Sequence, residues 1–435
     1  MCPSGCPGQE QCGKDKSRPA LRTTSQGHER VYSNPMIRLP RLTLLALFLF
    51  LPPTGNAQKP RARDLGIPLD GTPGPLNAIT DVSGVEVGMV TLISGQGKLQ
   101  VGKGPVRTGV TAVLPRGKNG RESVYAAWFT LNGNGEMTGT TWVDESGFLG
   151  GPVMITNTHS VGIVHDAVIE WVVRSGRAFD WSLPVVAETW DGGLNDINGF
   201  HVRREHVLAA LDSARAGPVR EGSVGGGTGM VCNQFKGGTG TASRRIAVLD
   251  SQYTVGVLVQ CNYGGRPRFS VAGVPVGQEI PDQLPCYSRL PDGSWAGARH
   301  CEASQGEDRG DAGSIIVVIA TDVPLLPHQL KRVAKRAALG IGRMGGTGGN
   351  SSGDIFIAFS TANPGADASD RLVSVRAIPN ERINSVFDAT IDATSEAILN
   401  AMLAAETMTG ADGLTVFALP QDRLLAALRK YRRIP

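Results

Sequence analysis

The chain has 435 residues, enough for a sizeable core and one large domain. Its formal net charge of +4 is spread without a dominant basic block, which leaves no argument for a nucleic-acid partner. Fifty-seven glycines point to many tight turns and close backbone approaches.

Residues 1–35 hold Cys2, Cys6 and Cys12 and no hydrophobic pattern. Arg38 and Arg41 then precede an apolar run from Leu42 to Leu51, followed by Pro52-Pro53-Thr54-Gly55-Asn56-Ala57. A basic flank, a short apolar run and small residues at 55 and 57 are the parts of a secretory signal. The run is short for a membrane span. The expected start is therefore Met36, with cleavage after Ala57 favoured over an uncleaved anchor, and export to the periplasm or beyond. Of the later cysteines, Cys286 and Cys301 share one polar segment and could staple it; spacing alone does not choose among pairings or free thiols.

Residues 58–80 read as an irregular lead-in. From 81 to 280 short apolar runs alternate with glycine turns, as at Val85–Gly88, Gly109–Val113, Val153–Ile155 and Val255–Val259, which predicts strands. Helical spacing predicts helices near 163–175 and 203–214. Residues 280–312 are polar and read as a surface insertion. Ser314–Ala320 is a buried-strand run, and Leu330, Val333, Ala334, Ala337, Ala338 and Ile341 form the apolar face of a helix. A glycine-rich stretch over 345–353, a strand over 354–360 and helices over 394–406 and 421–431 complete the chain. Strands and helices are mixed rather than strictly alternating, which favours an α+β layered sandwich.

The segment Gly348-Gly349-Asn350-Ser351-Ser352-Gly353-Asp354 fits the G-x-S-x-G of a nucleophile elbow at Gly349, Ser351 and Gly353. That fold's triad needs a histidine after the serine, and none of the seven histidines follows Ser351. A serine freed by self-cleavage would carry its own base, since an α-amine has a pKa of about 7.7–8.0 and sits on the nucleophile's own residue. The same residues equally describe a glycine turn with two solvated serines. His201 and His206 lack clean metal-ligand spacing. Gly222–Gly229 and Gly345–Gly349 lack the Gly-Lys-Ser/Thr ending of a phosphate loop, so neither metal nor organic cofactor is expected.

Asn350-Ser351-Ser352-Gly353-Asp354 resembles the self-cleavage site of the DmpA-type aminopeptidases, the family of β-aminopeptidases and L-aminopeptidase/D-esterases. Further matches are Ala78–Val85, Leu131-Asn132-Gly133-Asn134-Gly135-Glu136-Met137-Thr138-Gly139, Ala187-Glu188-Thr189-Trp190-Asp191-Gly192, Phe235–Gly238 with Ser243-Arg244, Asn262-Tyr263-Gly264 and Ala320–Leu325. The likeness covers roughly 65–280 and 313–408. It implies a four-layer αββα sandwich of N-terminal-nucleophile type and a self-processing serine aminopeptidase acting on small peptides or aminoacyl amides and esters. It also implies associated fragments 58–351 and 352–435 and a homo-oligomer. By resemblance, Ser352 is the nucleophile exposed by cleavage of Ser351–Ser352, and Glu188 receives the substrate ammonium. Asn262 donates to the oxyanion, while Thr394 and Glu396 stand for the family's later Ser-x-Glu. Trp190 stands where several relatives have Tyr. The alternatives are a self-cleaving acyltransferase of ornithine-acetyltransferase type and an unprocessed periplasmic binding protein on the same scaffold.

Overall fold

A computed structural model describes residues 59–176, 181–285 and 313–435. The expected signal segment and start at Met36, Cys286, Cys301 and most of the expected insertion lie outside the described residues. The strands are β1 (Glu86–Ser94), β2 (Val106–Leu114), β3 (Val124–Gly133), β4 (Phe148–Leu149), β5 (Val153–Asn157) and β6 (Val185–Thr189). They continue with the short β7 (Val231–Cys232) and β8 (Phe235–Lys236), then β9 (Gly238–Val248), β10 (Ser251–Asn262), β11 (Ser314–Thr321) and β12 (Gly353–Ser360). The helices are α1 (Thr140–Ser146), α2 (Val161–Arg174), α3 (Arg204–Asp212), α4 (Val276–Glu279), α5 (Pro327–Arg343), α6 (Asn384–Ala404) and α7 (Gln421–Lys430).

Two sheets stack face to face. One has the order β1-β2-β5-β6 and the other β4-β3-β12-β11-β10-β9. The layering follows from side-chain alternation along fully buried strands. Ile315, Val317 and Ile319 of β11 point away from the other sheet, onto Leu330, Val333 and Ala337 of α5 and Ala397 of α6. Ile316, Val318 and Ala320 point inward, onto Val113, Val153, Ile155 and Val185 of the four-stranded sheet. The outer face of that sheet, with Val110, Ala112 and Met154, is covered by Val164 and Val168 of α2 and Val207 and Leu211 of α3. The order is helix, sheet, sheet, helix, as the family resemblance implies. Burying each large aliphatic side chain in such a core contributes about 1.5–3 kcal/mol.

Connectivity places strand ends together. β11 and β12 are parallel and joined through α5, while β10 and β3 flank them antiparallel. The register sets Asn262 opposite Ser314, Ser314 beside Gly353, and Gly353 opposite Gly133. The C-termini of β3 and β10 and the N-termini of β11 and β12 therefore meet at one end of the sheet. Helix α6 begins at Asn384, ten residues before the predicted 394, because Val386, Phe387, Ala389 and Ala393 already carry a buried face. The Gly222–Gly229 stretch is packed inside rather than looped over solvent: Gly225–Gly229 is a buried 3-10 turn against β2. Cys232 of β7 and Cys261 of β10 are joined by a disulfide, the pairing that spacing did not choose.

Candidate active site

The converging strand ends open into a cavity of about 570 Å³ whose wall includes Glu136, Glu188, Trp190, Asn262, Ser314 and Ser351. It collects residues from both sheets, because β5 and β6 end at the same place and Thr158 and Glu188 face across from Asn262.

Ser352 is not on this wall. It is fully buried, and its Oγ donates to Asp354 Oδ1 at 2.7 Å while its N–H donates to Gly349 O at 2.9 Å. The turn that carries it is tied down by two asparagines. Asn132 donates through Nδ2 to Gly349 O at 2.9 Å and accepts the Asp354 N–H through Oδ1 at 2.9 Å. Asn134 donates through Nδ2 to Ser351 O at 2.8 Å. Gly353 lies so close to this strap that a Cβ there would stand 2.4 Å from Asn134 O. Ser352, expected as the nucleophile that cleavage exposes, is thus sealed under Asn132 and Asn134 in the uncut chain, and the neighbouring Ser351 faces the cavity.

The serine that does reach the wall beside Asn262 is Ser314, the first residue of β11. Its Oγ accepts the Gly353 N–H at 3.1 Å. The residue before it, Gly313, has φ +106°, and a Cβ there would lie 2.0 Å from Asn262 O. Only glycine can hold that left-handed, close-packed kink. The sequence carried a signal for Ser314: a glycine and a serine at the boundary between a polar insertion and the most apolar strand. The longer glycine run at 345–353 outshone it.

Glu188 lies near the end of β6, on the cavity wall. Its Oε1 accepts the Glu136 N–H at 2.9 Å and its Oε2 accepts Thr158 Oγ. Burial raises its pKa, and the two hydrogen bonds hold the carboxylate against that rise. Asn262 closes β10; its Oδ1 accepts the Val231 N–H at 2.8 Å and its Nδ2 donates to Trp190 O at 3.0 Å. An amide nitrogen has two hydrogens, so one remains for the cavity. Trp190 is 41% exposed and forms part of the wall.

Thr394 and Glu396 are not brought to this cluster. Both sit in the middle of α6. Thr394 Oγ1 donates to Thr390 O at 2.7 Å. Glu396 is fully buried and binds Arg244 Nη2 at 2.7 Å, Arg63 Nε at 3.0 Å and Asn77 Nδ2 at 2.5 Å. That network lies at β9, three strands from β12 and so about 14 Å across the sheet. Residues i and i+2 of a helix point to different sides, so a Ser-x-Glu pattern on α6 cannot present both side chains to one point. On an extended strand they share a face, and Ser352-Gly353-Asp354, at the start of β12, joins hydroxyl to carboxylate directly.

A model of peptidase family S58 matches residues 77–416. The chain is 57% identical over 390 residues to a beta-peptidyl aminopeptidase, BapA, of Sphingosinicella microcystinivorans, covering 89% of this chain and 96% of that one. It is 47% identical to the protein of that name from Sphingosinicella xenopeptidilytica, over 90% of this chain and 96% of the other. Among solved structures it resembles the L-aminopeptidase D-Ala-esterase/amidase of Ochrobactrum anthropi, described as a prototype serine aminopeptidase with a variant of the Ntn hydrolase fold. The TM-score is 0.77 at 48% identity, over 87% of this chain and all of that one. A Burkholderia sp. beta-aminopeptidase aligns with TM-score 0.75 at 45% identity, over 86% of this chain and all of the other.

Proposed function

Since the chain belongs to peptidase family S58 and is a hydrolase of aminopeptidase type with the Ntn hydrolase fold, we propose that its nucleophile is Ser314, released by self-cleavage of Gly313–Ser314. The observation that carries this reading is the convergence of Ser314, Asn262 and Glu188 on one cavity wall, with Ser352 buried behind it.

In processing, Ser314 Oγ attacks the Gly313 carbonyl, an ester forms, and the Gly313–Ser314 C–N bond breaks as the departing nitrogen takes a proton. Water then hydrolyses the ester and leaves Ser314 with a free amine, whose pKa of about 7.7–8.0 suits a general base at neutral pH. In turnover the same Oγ attacks the carbonyl of the substrate's first residue. The free hydrogen on Asn262 Nδ2 meets the oxyanion, a donor of a kind that contributes about 2.7–4 kcal/mol. Glu188 pairs with the substrate's ammonium, which restricts the enzyme to free N-termini. The Ser-x-acid expected to follow the nucleophile becomes Ser352-Gly353-Asp354, adjacent to Ser314 through the Gly353 N–H. By analogy with the named relatives, substrates include peptides with an N-terminal β-residue.

The cut fragments stay together on this reading. The C-terminal one supplies β11 and β12, and both are flanked by strands of the N-terminal one, β10 and β3. The mature protein is read as exported, without residues 1–57, and as a homo-oligomer of such fragment pairs.

Intact mass of the purified protein beside S314A and S352A variants tests the assignment. A fragment of residues 314–435 from the wild type and a single chain from S314A are expected. A fragment beginning at Ser352 would return the nucleophile to β12.

A further inference from the structure

The cavity is electrically one-sided. Among the described residues its wall holds two carboxylates, Glu136 and Glu188, and no lysine or arginine, although the chain as a whole is basic. The two acids are in different circumstances. Glu188 is buried and takes two hydrogen bonds, one from Thr158 and one from the backbone of Glu136 itself. Glu136 is exposed, and only its N–H is engaged; its carboxylate makes no ion pair among the described residues. The groups are close enough to act on each other: the Glu136 charge raises the pKa of Glu188, and the basic His159, which acts the opposite way, stands outside the cavity lining. A buried, satisfied carboxylate suits the one cation every substrate shares. An exposed, unpaired one beside it suits a second.

We infer that Glu136 is a specificity-determining residue, and that the preferred substrates carry a second cation on the N-terminal side chain: lysine-like or ornithine-like residues, as α- or β-amino acids. This deepens the proposed function, in which Glu188 already holds the N-terminal ammonium. The side-chain ammonium of the substrate then lies against Glu136, one residue's reach from Glu188, and neutral side chains of equal length leave that carboxylate facing another carboxylate.

The test compares p-nitroanilides of L-lysine and L-norleucine, and their β3-homo counterparts, on wild type, E136Q and E136D. The readout is the lysine-to-norleucine ratio of kcat/KM, which cancels differences in folded fraction. E136Q keeps the backbone N–H that supports Glu188. Wild type is expected to favour the lysine compounds by about fivefold, the effect of one partly screened ion pair, with a ratio near one in E136Q and an intermediate ratio in E136D. Raising salt should shrink the wild-type ratio. Hydrolysis of norleucine compounds with no lysine preference, or a preference that survives in E136Q, overturns the role of Glu136 alone. Failure of the wild type to hydrolyse any of the four overturns the aminopeptidase site with it.

Discussion

Two serines open two neighbouring parallel strands of one sheet, and the contrast between them separates motif from site. Ser314 and Ser352 each have a glycine shortly before them, Gly313 and Gly349, and each lead into a fully buried strand. They stand one register position apart, with Ser314 paired to Gly353. What differs is the cover. The turn before β12 is strapped by Asn132 and Asn134 and turns its serine inward to Asp354. The kink before β11 presses on Asn262 O and leaves its serine on the cavity wall. A nucleophile is selected by what lies over the turn, and only then by the turn's own residues.

Four substitutions would break or sharpen that contrast. S314A should give the largest effect, loss of processing and of turnover by about 10⁴-fold or more, read by intact mass and by aminoacyl-amide hydrolysis. D354N, which removes the acceptor of Ser352 Oγ, should lower kcat by about 10²–10⁴-fold with little change in KM; equal losses from S314A and S352A in every readout would erase the distinction between the two serines. E396Q breaks a buried cluster with Arg63 and Arg244 and should cost about 3–5 kcal/mol in denaturant melts. A large fall in kcat of still-folded E396Q would instead place Glu396 in the chemistry. The smallest effect is expected from T158V. Losing a hydrogen bond to the charged form of Glu188 raises its pKa further, so the acid limb of kcat/KM should move to higher pH and activity should fall first on the acid side.

Much of the scaffold was legible in the sequence. The strand over 314–320, the amphipathic helix behind it and the strand over 354–360 are carried by local apolar patterns, and the structure has β11, α5 and β12 there. Glu188 and Asn262 were marked as site candidates in the sequence because each lies in a compact ordered motif. Ser314 was not, since its partners Asn262 and Gly353 come from strands 52 and 39 residues away and only register brings them together. Thr394 and Glu396 fit a Ser-x-Glu spacing in one dimension, but that spacing says nothing about whether the backbone is helix or strand, and on the helix α6 the two do not share a face. The early start of α6 was hidden by Thr390, a polar residue within the buried stripe, and by Asp388 and Asp392 on its less buried side.

If Gly313–Ser314 is cut as proposed, the interleaving of β10, β11, β12 and β3 has a thermodynamic consequence. Unfolding then releases two independent chains, so translational entropy joins the driving force and dilution favours the melted state. The melting temperature of processed protein should climb with its concentration, whereas that of uncut S314A should depend on concentration only through any higher assembly of whole chains.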